Sequence, residues 1–163
     1  MAENAKKDSI QTTTSGLQYQ IIHSSNRPER PQSDCFVRMK YTTWMLKDSK
    51  EKNYLEQTIN LFLVRDSITL RPLLLDAIPE SSIYLEKIDH LWEEGGREMY
   101  FNSFIAGVQE GLSRMPIGSV WRLYIPYNLA YGRNGEKWSD KRHDYRIKPY
   151  SVIIFEVEIL GVR

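Results

Sequence analysis

The sequence predicts an α+β fold, a curved antiparallel sheet wrapped around a short helix, and three observations predict it. Four segments alternate apolar and polar residues with the period of two that marks a half-buried strand. Two stretches carry apolar residues near helical spacing. At 163 residues the chain is long enough for one good core and short for two.

Taken in order, residues 1–14 are polar, rich in Thr and Lys and without periodicity, which predicts a flexible tail, followed by a single domain over 15–163. "GLQYQII" sets Leu17, Tyr19 and Ile21 on one strand face, and "NRPERPQSD" is a loop. "CFVRMKYTTWML" alternates strongly, with Cys35, Val37, Met39 and Tyr41 on one face and Phe36, Arg38 and Lys40 on the other. "KDSKEKN" is a polar turn; "YLEQTINLFLV" and "SITLRPLLL" read as extended, with Pro72 confining the second to an edge or an irregular path. From Pro79 the period changes. Ile83, Ile88, Leu91 and Trp92 recur near helical spacing, Ser81 or Ser82 offers a cap and Gly95-Gly96 a stop, which predicts a helix of about three turns. "SFIAGVQEGL" aligns Phe104, Ile105, Val108 and Leu112, with Gly107 and Gly111 one turn apart, as a short helix packed closely on a neighbour. "VWRLYI" then turns Trp121, Leu123 and Ile125 inward, and "VIIFEVEIL" turns Ile153, Phe155, Val157 and Ile159 inward, with a polar loop at 132–148 between them.

Composition narrows the function. Twenty-two basic residues against twenty-one acidic ones give no field that would draw nucleic acid or an anionic membrane. No apolar run approaches the roughly 20 residues of a membrane span, so no integral span is expected. The single Cys35 can form no internal disulfide and reads as core packing. The polar start lacks the apolar middle of a signal peptide, yet it is also what trimming of an export signal leaves; the compartment is therefore periplasm or cell envelope if a signal was removed, and cytoplasm otherwise.

Ordinary catalytic groups are missing from the pattern. His23, His90 and His143 lie in unrelated segments without partners at ligand spacing, so no metal is expected. No nucleophile elbow or phosphate loop appears, "GRNGEKWS" lacking the spacing for the latter, and "DKRHDY" reads as a solvated loop. What remains is an aromatic and aliphatic supply where strands end and helices begin. Rotation about an Xaa-Pro imide, with a barrier of about 18–20 kcal/mol, needs little else, because its twisted transition state has lost amide resonance and much of its dipole. A dry pocket binds that state better than the planar one. On composition alone, core packing is the weightier reading of the same residues, since any half-open sheet packed on a helix is lined in this way.

"SGLQYQII", "VRMKYT", "FIAGVQEGLSRMPIGSVWRLYIPYNLAYG" and "SVIIFEVEILGV" resemble, in order, the pieces of FKBP-type peptidyl-prolyl cis-trans isomerases, loosely over 15–60 and well over 102–163. The resemblance implies an FKBP-like curved antiparallel sheet around a short helix, with an insertion at about 61–98 that would carry the extra helix. It implies no cofactor and proline-containing polypeptides as substrates. By motif position, Tyr41 resembles the first pocket aromatic, Phe104-Ile105 the pair before the helix, with the Ile105 N–H donating to bound peptide, Tyr131 the tyrosine that contacts the substrate carbonyl, and Phe155 the aromatic of the pocket floor. Ile147 resembles the loop isoleucine. Val108 stands where the family usually has Trp, and Tyr54-Leu55 aligns with its Phe-Asp pair, which would leave the pocket without its carboxylate; Met99-Tyr100-Phe101 replaces the usual Phe-x-Leu. These departures imply reduced catalysis and weak macrolide binding. The catalytic set is thus Tyr41, Ile105, Tyr131 and Phe155, with Tyr54, Phe104, Val108 and Ile147 as substrate-binding residues. The rival function is a non-catalytic FKBP-like peptide-binding or chaperone module of the cell envelope, using the altered pocket or the inserted helix.

Overall fold

The computed structural model describes residues 10–48, 83–137 and 145–163. Seven strands form its main sheet: β1 (Gln11–Thr12), β2 (Gln18–His23), β3 (Phe36–Asp48), β4 (Ile83–Leu91), β5 (Arg97–Tyr100), β6 (Val120–Ile125) and β9 (Ile153–Val162), in the order β1-β2-β6-β9-β3-β4. The helix α1 (Ala106–Arg114) covers the concave face, and a small hairpin of β7 (Glu136–Lys137) and β8 (Tyr145–Ile147) stands apart from the sheet. All pairings are antiparallel.

The long strand β3 organises this arrangement. One edge pairs with β9 from Val37 to Met45; the other pairs first with β5, over Phe36–Met39, and then with β4, over Tyr41–Asp48. Its alternation places Val37, Met39 and Tyr41 in the core, beside the inward sets Trp121, Leu123, Ile125 and Ile153, Phe155, Val157, Ile159. Each such buried side chain contributes about 1.5–3 kcal/mol. On the convex face Arg122 binds Glu156 through two hydrogen bonds of 2.9 and 2.6 Å, and Tyr124 and Ile154 form a small second cluster under Ile10 and Trp44.

Three sequence expectations change. Residues 83–91 form β4 and not a helix, and Gly95-Gly96 turn the chain into β5. The register slips between Thr43 and Trp44, so that Ile88 is an extra residue on β4; this bulge breaks the period of two and imitates helical spacing, while eight register pairs along β3 hold the segment extended. Residues 10–14 of the expected tail are held, through the β1–β2 pairing and a 2.8 Å bond from the Thr13 N–H to the Leu17 carbonyl. Part of the polar loop at 132–148 is the β7–β8 hairpin, joined by an Arg146–Glu136 ion pair of 3.0 Å. Residues 49–82, with the extended runs and Pro72, lie outside the described residues.

The helix comes very close to the sheet at its two glycines. A Cβ at Gly107 would collide with Ile125 Cγ2 and press on the Leu129 carbonyl oxygen at 3.2 Å, and one at Gly111 would collide with Leu123 Cδ1. Ile125 is β-branched and stiff, so Gly107 has the harder neighbour. Gly→Ala in a helix ordinarily gains about 1 kcal/mol. For Gly107→Ala, overpacking of about 1–3 kcal/mol outweighs that gain, and the urea midpoint falls relative to the parent at unchanged m-value.

Candidate functional site

The β3–β9 register sets Thr43 opposite Phe155 and Tyr41 opposite Val157, which makes Tyr41 and Phe155 diagonal neighbours on the concave face. Their rings stack at 5.1 Å with 23° between planes. Phe104, just before α1, meets the Phe155 ring edge-on at 6.4 Å. Such pairs contribute about 0.5–1.5 kcal/mol beyond their burial. Val108 packs into the same apolar cluster from the first turn of α1.

Ile105 is the residue that opens the helix. It keeps an extended backbone, and its carbonyl accepts from the N–H groups of Val108 and Gln109 at 3.0 and 3.1 Å. Among the described residues no acceptor meets the Ile105 N–H. Gln109 Nε2 donates to the Phe104 carbonyl at 2.6 Å and fixes the chain just ahead of it. A half-buried backbone donor at a helix start, beside a ring cluster, suits a carbonyl oxygen brought by a ligand.

The polar groups of the site are phenols and one carboxylate. The Tyr41 hydroxyl donates to Asp89 Oδ2 at 2.8 Å, and Asp89 Oδ1 accepts from the His90 N–H at 2.8 Å. Burial first, then the bond to Asp89, pushes the Tyr41 phenol up to about 12. Tyr131 follows the turn that ends β6 at Pro126, and burial, reinforced by the charge of Glu136, raises its phenol as well. Both are neutral hydrogen-bonding groups at ordinary pH.

The structure therefore brings Tyr41, Phe104, Ile105, Val108, Tyr131 and Phe155 into one apolar cluster, with the Tyr41, Phe155 and Phe104 rings in contact. Their exposure divides them. Tyr41 is 5%, Phe155 4% and Val108 2% exposed, so they are closed off in the core, whereas Phe104, Ile105 and Tyr131 keep open surface. Ile147, on β8, is 0% exposed and belongs to the same buried cluster. Tyr54 and Leu55 lie outside the described residues.

The missing carboxylate needs correction. A carboxylate does reach the Tyr41 hydroxyl, and it comes from Asp89, preceded by the partly buried Ile88; an apolar-acidic pair after the second long strand was therefore present in the sequence, hidden inside the segment expected to be helical. Of the other tyrosines around Pro126, Tyr124 packs on the convex face and Tyr127 meets Tyr150 edge-on at 5.1 Å. His90 Nδ1 lies 2.7 Å from Thr42 Oγ1, and no group of three potential ligands gathers around a metal site among the described residues. No helix among them is long and apolar enough to cross a membrane.

Comparison with known proteins points the same way. Residues 95–160 match the family described as FKBP-type peptidyl-prolyl cis-trans isomerase. An FKBP-type 22 kDa peptidyl-prolyl cis-trans isomerase of Escherichia coli is 30% identical over 99% of this chain, which covers 57% of that relative. An FkpA of Aeromonas hydrophila is 25% identical over 99% of this chain and 44% of its own length. The chain thus spans about half the length of these relatives. Among solved structures, FkpA from Escherichia coli superposes with a TM-score of 0.61 at 22% identity, over 99% of this chain and 55% of that one. A peptidyl-prolyl isomerase from Pseudomonas syringae gives 0.60 at 19% identity, over 98% and 86%.

Because the Tyr41 phenol is raised in the folded state, its bond contributes stability that is complete below pH 10 and lost as pH climbs from 10 towards about 12. Tyr41→Phe removes a late-titrating phenol from the alkaline ultraviolet difference spectrum. The same variant lowers stability at pH 8 by about 0.5–1.5 kcal/mol, since the exposed Asp89 turns to water, and flattens the stability profile between pH 10 and 12.

Proposed function

We propose that this chain, similar to FKBP-type peptidyl-prolyl isomerases in its family match, relatives and fold, catalyses cis-trans rotation about Xaa-Pro bonds of polypeptides, assisting their folding. The observation that carries this reading is a stacked aromatic floor, Tyr41 on Phe155, next to an unclaimed backbone donor at Ile105. The proline ring packs against the floor, with Val108 beneath it and Phe104 at the side. The Ile105 N–H holds a carbonyl of the peptide, and the Tyr131 hydroxyl donates to another.

Catalysis follows from solvation and not from proton transfer. A planar imide is resonance-stabilised and strongly polar, whereas the twisted one has a localised nitrogen lone pair and a smaller dipole, so moving both into an apolar pocket favours the twisted form. Each tenfold acceleration requires about 1.4 kcal/mol of that difference. Two neutral hydrogen-bond groups fix the peptide flanking the bond without resisting its rotation. The uncatalysed step takes tens of seconds, slow enough to limit folding. Val108 supplies less ring surface than an indole would, which supports weak binding of macrolide ligands in the same pocket.

The test is a proline-peptide assay over a series of Xaa residues. The parent protein accelerates isomerisation, Phe155→Ala lowers kcat/KM at least tenfold, and Tyr131→Phe lowers it about 2- to 10-fold, the equivalent of one neutral hydrogen bond. Because no acid or base takes part, kcat/KM stays flat from about pH 6 to 9. A folded parent that leaves the rate at its uncatalysed value defeats the proposal.

A further inference from the structure

The placement of Tyr131 depends on a contact outside the pocket. Its turn does not belong to the main sheet, and three backbone hydrogen bonds hold it. The Gly132 N–H donates to the Tyr127 carbonyl at 2.8 Å, the Gly135 N–H donates to the Tyr131 carbonyl at 3.1 Å, and the Tyr150 N–H donates to the Gly132 carbonyl at 3.1 Å. The last bond comes from a residue in an uncommon state. Tyr150 has φ of 59°, and among the described residues Asp34 is the other non-glycine with positive φ. Asp is among the residues that visit this region most readily, and the Asp34 carboxylate is further held by the Tyr100 hydroxyl and the Asn102 amide. Tyr has no such help.

A bulky residue stays left-handed only where its surroundings over-determine it. Two contacts do so here. The Tyr150 ring meets Tyr127 edge-on at 5.1 Å and 64°. The chain just before it lies directly on Gly135, where a Cβ would stand 2.7 Å from Pro149 N and 2.8 Å from the Lys148 carbonyl carbon, and Ser151 Oγ ties the Lys148 carbonyl at 2.7 Å.

We propose that Tyr150 is a positioning residue for Tyr131: its ring, wedged on Tyr127, forces its own backbone into the left-handed turn that points the Tyr150 N–H at Gly132 and latches the Tyr131 turn in place. The role in catalysis rests on the prolyl isomerase reading, while the latch itself does not. Among the described residues no partner meets the Tyr150 hydroxyl, so the latch as proposed requires the ring alone.

The experiment compares Tyr150→Gly, which accepts positive φ but has no wedge, with Tyr150→Phe, which keeps the ring, each with and without Tyr131→Phe. Tyr150→Gly stays folded, loses about 3- to 10-fold in kcat/KM, and adds little further loss when combined with Tyr131→Phe, because both remove the same contact to substrate. Tyr150→Phe matches the parent. Independently of activity, the alkaline titration of Tyr131, taken as the difference between each variant and its Tyr131→Phe partner, moves down towards that of an ordinary tyrosine in Tyr150→Gly, since an unlatched Tyr131 leaves its buried position. Should Tyr150→Gly unfold, Tyr127→Leu removes the other half of the ring contact and is expected to show the same two effects. Losses that add in full, or a Tyr131 titration unchanged in the folded variants, overturn the latch. A parent without isomerase activity defeats the catalytic reading, and the titration alone then decides the latch.

Discussion

The register between β3 and β9 is the constraint on which the rest depends. Nine paired positions, from Val37–Val162 to Met45–Ile153, hold these two strands at the centre of the sheet. A slip of one residue would turn Tyr41, Met39 and Val37 to the convex face and replace them with Lys40 and Arg38, so burial of one face specifies the register strongly. The stacked pair Tyr41–Phe155 is a direct consequence, since the rings belong to diagonal neighbours across that ladder. The stacked pair is thus made by the same interaction that makes the core.

Helix α1 adds the second wall through fit and not through length. Nine residues are too few to be stable alone, and the helix persists because Val108 and Leu112 are buried and the two glycines let its axis settle against Leu123 and Ile125. That close approach is also what delivers the start of the helix to the pocket. A helix lifted by one methyl group at Gly107 would carry Ile105 and Phe104 away from Phe155, so the steric demand of the core and the geometry of the site are one requirement. Arg30, whose Nε donates to the Arg114 carbonyl at 3.1 Å, holds the far end of the helix.

How much of this was legible in the sequence follows from how local each signal is. Alternation in β3, β6 and β9 and the glycine spacing in α1 are carried by neighbouring residues, and these elements and their inward faces agree with the structure. The strand β4 was misread because its signal is not local. A bulge at Ile88 disrupts the period, and what makes 83–91 a strand is the unpaired edge of β3, some forty residues earlier in the chain. Misplacing that strand also displaced the carboxylate. As a helix, 83–91 offers Asp89 no route to Tyr41, and the Tyr54-Leu55 alignment then implies that the carboxylate is absent. The polar segment 132–148 hid a hairpin because two- and three-residue strands leave no periodicity, and Tyr150 was invisible because nothing in sequence marks a tyrosine with positive φ.

The division between floor and rim has a consequence for selectivity. The residues that the motif resemblance emphasises most, Tyr41 and Phe155, are nearly closed to solvent, so under the proposed function they would meet little of the peptide flanking a proline. Open surface belongs to Phe104, Ile105 and Tyr131, at the ends of elements whose placement depends on α1 packing and on the 132–135 turn. The Asp89 carboxylate and the Arg146–Glu136 pair lie near enough for their charges to act on the rim phenol. Under the proposed function, differences among Xaa residues would be felt at the rim, through partly screened charges and one hydroxyl, where individual interactions are modest. Under the proposed function, a closed aromatic floor and a rim that reads its neighbours weakly would suit acceptance of many sequences around the same bond.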